Sequence, residues 1–168
     1  MLHYFIIHFF QNPILLIRLI ILFGLSISAS ETLRPPVRFQ TACFFLFWDG
    51  RTNTSRVVPP EVKGAKKARL AYEVLKENAA DSESQAALVR IRLYTGRHHQ
   101  IRVQMANAGM PLLGDHKYAG EQALETSTRL GIREIALCAY RLTFCHPKTR
   151  KSMQFEIEPE GAAFRKLK

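Results

Sequence analysis

Apolar and polar positions alternate with a period of two along much of this chain, and in one short stretch the period becomes helical. Leu70, Tyr72 and Val74 alternate with Ala71, Glu73 and Leu75, which predicts a half-buried strand. Polar residues 78–85 then read as a turn. Residues 88–94 predict the next strand, with Val89, Ile91 and Leu93 on one face and Arg90, Arg92 and Tyr94 on the other. That second face is basic, with an aromatic ring beside it. Thr95-Gly96 ends the strand, and residues 98–108 read as a helix closed by Gly109. Ile101, Met105 and Ala108 share one side of this helix, while Val103 and Ala106 fall on the other. A short helix apolar on two sides is expected between packed layers. Further on, Ala136, Cys138, Tyr140, Leu142 and Phe144 alternate, His146-Pro147-Lys148-Thr149 turns, and Met153, Phe155 and Ile157 alternate against Gln154, Glu156 and Glu158. This predicts a β-hairpin. Turn chemistry also marks residues 49–53 and 59–64. The fold class is α+β with an antiparallel or mixed sheet.

The first residues differ. Phe5, Ile6, Ile7, Phe9 and Phe10 precede a second apolar run from Ile14 to Leu25, and Ser26 to Ser30 are small and polar. Three readings stand: a signal peptide, a membrane anchor, or sequence not native to the domain, as a misplaced start or a frameshift would give. Asn12-Pro13 and Arg18 interrupt the apolar run, and the first Phe cluster has no Lys or Arg before it, which weighs against the first two. Residues 31–47 show no clean pattern, and Pro35-Pro36 suggests a linker. The expected division is therefore an atypical segment over 1–47 and a domain over 48–168.

At 168 residues the chain is long enough for one domain with a core. Its formal net charge of +10 is unevenly spread. Lys63, Lys66, Lys67 and Arg69 form one run, and Arg90, Arg92, Arg97 and Arg102 another. Clustered cations point to a polyanion, because they displace the counterions condensed on phosphates. Three scattered cysteines, Cys43, Cys138 and Cys145, fit neither a disulfide framework nor a paired zinc site. No phosphate-binding glycine loop, dinucleotide fingerprint or His-Glu-x-x-His occurs.

Four pieces then stand in a telling order. They are Lys63-Gly64-Ala65-Lys66-Lys67-Ala68 with Tyr72; Thr95-Gly96-Arg97 with His99-Gln100-Ile101-Arg102; Gly109-Met110-Pro111-Leu112-Leu113-Gly114-Asp115 with Tyr118; and Leu137, Ala139, Leu142, Phe144, His146 and Pro147. Over residues 48–168 the chain resembles the RluA-type RNA pseudouridine synthases. The resemblance implies isomerisation of uridine to pseudouridine in structured RNA, with ribosomal RNA the substrate class. A carboxylate attacks the uridine, the glycosidic bond breaks, the uracil turns, and a carbon–carbon bond forms through C5. All atoms are kept, so no cofactor or metal is needed. The base must leave the stack to be reached.

The same resemblance suggests roles. Arg97 matches the arginine that pairs with the catalytic aspartate, and Tyr72 the tyrosine that stacks on the base. Arg90, Arg92, His98 and Arg102 are expected at RNA phosphates. His99, Gln100, Asp115 and Tyr118 are expected to order the motif. The family's aspartate lies in an Arg-Leu-Asp segment well upstream, and no such segment occurs here. Asp49 and Asp81 sit in turns, and Asp115 matches a Gly-Asp turn. The expected domain is thus the C-terminal part of the catalytic fold, incomplete on its N-terminal side and inactive alone. A non-catalytic RNA-binding remnant is the rival reading. A small membrane-anchored or secreted basic protein is a third, resting on residues 1–30 alone. The first two imply a cytoplasmic location.

Overall fold

The computed structural model describes residues 2–8, 40–77 and 86–167. Seven strands run β1 (Leu2–His8), β2 (Gln40–Asp49), β3 (Thr54–Val58), β4 (Lys66–Glu77), β5 (Ala86–Leu93), β6 (Leu137–Cys145) and β7 (Ser152–Glu156). Among the described residues the helices are α1 (Gln100–Asn107), α2 (Glu121–Arg129) and α3 (Ala162–Leu167). The strands form one sheet in the order β3-β2-β4-β5-β1-β6-β7. Every neighbouring pair is antiparallel. The class is α+β, as the alternation implied.

Two strands revise the reading of residues 1–47. β2 crosses the boundary expected at 47/48 and pairs with β3 on one side and β4 on the other. Its run Cys43-Phe44-Phe45-Leu46-Phe47 is apolar at successive positions, so the contrast that announces a strand is missing. β1 inserts between β5 and β6, with Phe5 opposite Val89 and Leu137. Its sequence LHYFIIH is rich in the aromatic and β-branched residues that suit a pleated sheet. A strand in that place satisfies two backbone edges at once. The described sheet is therefore continuous between β5 and β6. The signal, anchor and linker readings of residues 9–39 lie outside the described residues, as do the turn at 78–85 and Asp81. Among the described residues no helix is long and apolar enough to cross a membrane.

The sheet has two unlike faces. On one, Leu70 and Tyr72 of β4 and Ala87, Val89 and Ile91 of β5 pack with Ile101 and Met105 of α1. The other side of α1 carries Val103 against Leu46 and Ala68, so the helix is apolar on both flanks as its sequence suggests. Gly109 follows it with φ 75°, the left-handed turn anticipated from the sequence. A second cluster joins Ala86, Leu113, Ile132 and Ala136 to Ala163 and Phe164 of α3.

α2 and α3 had no sequence signal that we recognised. In α2 the buried positions include Thr126 and Ser127, so its inner face reads as polar. Ser127 resolves this by donating to the Ala123 carbonyl (2.6 Å) and accepting the Gly114 N–H (2.9 Å).

Candidate functional site

The strand-to-helix passage after β5 is organised by one buried amide. Gln100 Oε1 accepts the Thr95 hydroxyl at 2.8 Å and the Arg97 backbone N–H at 2.9 Å. Its Nε2 donates to the Arg69 carbonyl at 3.1 Å. Thr95 Oγ1 in turn accepts the Arg69 N–H at 2.8 Å. Gln100 is buried, so each of these bonds replaces one that water would otherwise make. The geometry ties β4 to the end of β5 and aims the backbone of Arg97.

His99 begins α1 in the left-handed region, at φ 50°. Its Nδ1 lies 2.7 Å from the Tyr118 hydroxyl. Burial, then the neighbouring positive charge of Arg102, pulls the His99 pKa down to about 4. The ring is therefore neutral at physiological pH, and its Nδ1 shares one hydrogen bond with the Tyr118 hydroxyl. Tyr118 Oη also accepts the Ser55 N–H at 2.9 Å, which pins the β2–β3 hairpin to the motif. His98 lies with its Nδ1 2.9 Å from Ser55 Oγ and packs on His99, ring centroids 3.8 Å apart.

Asp115 is buried and gripped by Arg102, Nε to Oδ2 at 2.9 Å and Nη2 to Oδ1 at 2.6 Å. Its Oδ1 also accepts the backbone N–H of Lys117 (3.0 Å) and Tyr118 (3.2 Å). Burial alone would raise the Asp115 pKa, but the Arg102 and backbone hydrogen bonds outweigh it and hold the carboxyl below its usual range. Gly114 precedes it at φ 72°, where a Cβ would come within 2.1 Å of the Glu134 carbonyl oxygen. Only glycine lets this loop close on the chain entering β6.

Several residues expected at RNA also have partners within the protein. Arg102 is spent on Asp115 and also covers the Tyr118 ring, 4.9 Å from its centroid. Arg90 pairs with buried Glu73, its cross-strand neighbour. Neither guanidinium is turned freely to solvent, because each neutralises an acid that would otherwise be buried alone. His98 is half-buried and engaged with Ser55. Tyr72 faces α1 inside the core, its hydroxyl donating to Gln40 Oε1 at 2.6 Å. Burial pushes its pKa up to about 12. It is not presented for stacking in this structure.

Arg92 and Arg97 are different. Both are exposed, and Arg97 Nε donates to the Lys67 carbonyl at 3.0 Å. Cross-strand register places Arg92 opposite Ala71, while Tyr94 meets Arg69, whose carbonyl accepts the Tyr94 N–H at 3.0 Å. Arg69 and Lys67 are exposed, and the Arg69 guanidinium sits 4.2 Å from the Tyr94 ring centroid. The face of the sheet turned away from α1 thus carries Lys67, Arg69, Arg92 and Tyr94, with Arg97 at its end. The sequence reading noted Lys67, Arg69 and Tyr94 but did not assign them to the site. Their shared face follows once β4 and β5 are paired in register.

No described aspartate stands free in this region. Asp49 accepts the Arg51 N–H at 2.9 Å and orders the β2–β3 turn. Among the described residues no three His, Cys, Asp or Glu side chains group as a metal site.

Comparison with known proteins fits this arrangement. A family model described as RNA pseudouridylate synthase matches residues 15–107. The "Ribosomal large subunit pseudouridine synthase D" of Neisseria meningitidis is 39% identical over 114 residues, covering 64% of this chain and 29% of the relative. The "Dual-specificity RNA pseudouridine synthase RluA" of Escherichia coli is 42% identical over 91 residues, covering 54% and 37%. The chain spans about a third of the length of these curated relatives. In structure, "Human RNA Pseudouridylate Synthase Domain Containing 1" superposes with a TM-score of 0.61 at 17% identity, over 94% of this chain and 54% of that one. The family match begins upstream of Trp48 and so takes in part of the segment first set apart from the domain. Ahead of β2 that span holds one Arg-Leu pair, Arg18-Leu19, and the residue after it is Ile20.

Proposed function

Because the chain belongs to the RNA pseudouridylate synthase family, we propose that it serves uridine isomerisation in RNA by holding the RNA strand, and that it lacks a nucleophile of its own. Ribosomal RNA is the substrate class, in keeping with the names of its relatives, and a cytoplasmic location goes with it. The observation that carries the reading is Arg97. It stands at the family's Thr-Gly-Arg position, exposed, at the end of a row of exposed basic residues, and its Nε meets a backbone carbonyl rather than a carboxylate. In an active site of this kind a guanidinium keeps the attacking acid ionised by charge and paired hydrogen bonds. Here Asp115 is held by Arg102 and Asp49 orders a turn.

The test separates binding from chemistry. The 168-residue chain is titrated into an unmodified ribosomal transcript by filter binding, and pseudouridine is mapped at saturation by carbodiimide-stop sequencing. Saturable, salt-sensitive binding without new stops is the expected result. New stops above a no-protein control would show that a nucleophile is present. Absence of binding at low salt would remove RNA as the partner.

A further inference from the structure

The tyrosine expected to stack on a base, Tyr72, is buried on the α1 side of the sheet. A second aromatic occupies the opposite face. Tyr94 is 46% exposed, at the end of β5, and the Arg69 guanidinium lies 4.2 Å from its ring centroid. We propose that the Arg69–Tyr94 pair is a stacking platform for one unpaired base of bound RNA, with Lys67, Arg92 and Arg97 meeting the phosphates on either side. This rests on the reading that the chain binds RNA, and adds where and how a base is held.

Three observations support it. First, both members of the pair are positioned by backbone bonds: the Tyr94 N–H donates to the Arg69 carbonyl at 3.0 Å, and the Arg69 N–H to Thr95 Oγ1 at 2.8 Å. A platform held by the sheet loses little freedom when it is used. Second, its surroundings are cationic and open. Lys67, Arg92 and Arg97 are all exposed, so phosphates reach them without breaking an internal ion pair, unlike Arg90 and Arg102. Third, the pair presents two planar groups side by side, a phenol ring and a guanidinium. Bases stack on aromatic rings and on guanidinium planes alike, and both are offered here.

The test compares an oligouridylate with a ribose-phosphate oligomer of equal length whose bases have been removed. The two have the same phosphates, so any preference reports the base. The chain should bind the oligouridylate about tenfold more tightly, the scale of one stacked base. Tyr94→Leu should abolish the preference and leave the salt dependence unchanged, and Tyr94→Phe should retain it. Trp48→Ala, at an exposed ring outside the basic row, should leave the preference intact. Equal affinity of the unaltered chain for both oligomers would overturn the platform while RNA binding stands. A preference that survives Tyr94→Leu would also overturn it. Binding to neither oligomer would remove the platform together with the RNA reading beneath it. Melting curves of the Leu and Phe variants should overlay, since the ring is exposed.

Discussion

The two faces of the sheet divide at adjacent residues. Ile91 points to α1 and is fully buried, whereas Arg92, the next residue, is exposed on the opposite face. The same split occurs between Leu70 and Arg69. The α1 face is filled by side chains from three elements and gives the fold its stability. The open face instead carries Lys67, Arg69, Arg92 and Tyr94. Charge alone does not mark a binding surface. Arg90 and Arg102 are as basic as Arg92, yet each is bound to a buried acid, so they belong with the fold.

The largest expected effect comes from the filled face. Ile91→Ala removes buried methyl groups where neighbours collapse only in part, and should cost roughly 2–5 kcal/mol of unfolding free energy in denaturant titration. Arg92→Ala, one residue away, should change stability by no more than about 0.5 kcal/mol. Equal losses at the two positions would erase the distinction between faces.

Asp115→Asn tests whether Arg102 belongs to the fold. It leaves the guanidinium facing a neutral partner in a mostly buried place, at a cost of about 3 kcal/mol. If stability is kept and RNA affinity falls, Arg102 is an RNA contact after all.

His99 should confer a pH dependence. Its folded pKa of about 4 lies below the ordinary histidine value of 6.5, so the folded state binds fewer protons between these limits. The stability it contributes is fully present above pH 6.5 and is lost progressively as pH falls toward 4. His99→Asn, which tolerates the left-handed backbone, should flatten the melting temperature across that window. An unaltered slope would assign the acid sensitivity elsewhere.

The smallest effect is on the salt slope. Arg92→Ala and Arg97→Ala should each flatten the log–log dependence of RNA affinity on salt by roughly 0.7, the share of one phosphate contact on a single strand. Arg90→Ala should leave the slope unchanged wherever the protein remains folded.

Much of this contrast can be read in the chain. Val89, Ile91 and Leu93 against Arg90, Arg92 and Tyr94 is a two-faced strand by inspection, and the two flanks of α1 follow from Ile101, Met105 and Val103. Gly109 marks the helix end for a steric reason that needs no structure. β2 was hidden because its Phe-rich run is apolar on both faces, and β1 because its residues merge into a longer apolar segment. α2 was hidden because Thr126 and Ser127 are buried through hydrogen bonds made within the protein. The acid partners of Arg90 and Arg102, both expected at phosphates, are not shown by periodicity. Glu73 meets Arg90 only when β4 and β5 are set in register, and Asp115 meets Arg102 only when the loop after α1 folds back. Tyr72 matched a family position, but its side of the strand put it with Leu70 and Val74 in the core.

The central claim is that RNA lies on the open face and nowhere on α1. Cross-linking to RNA containing 4-thiouridine, followed by mass mapping of the attached peptides, tests it most directly. Attachment is expected within residues 67–71 and 92–97. Attachment concentrated in residues 100–107 or 121–129, with the open face unlabelled, would contradict it.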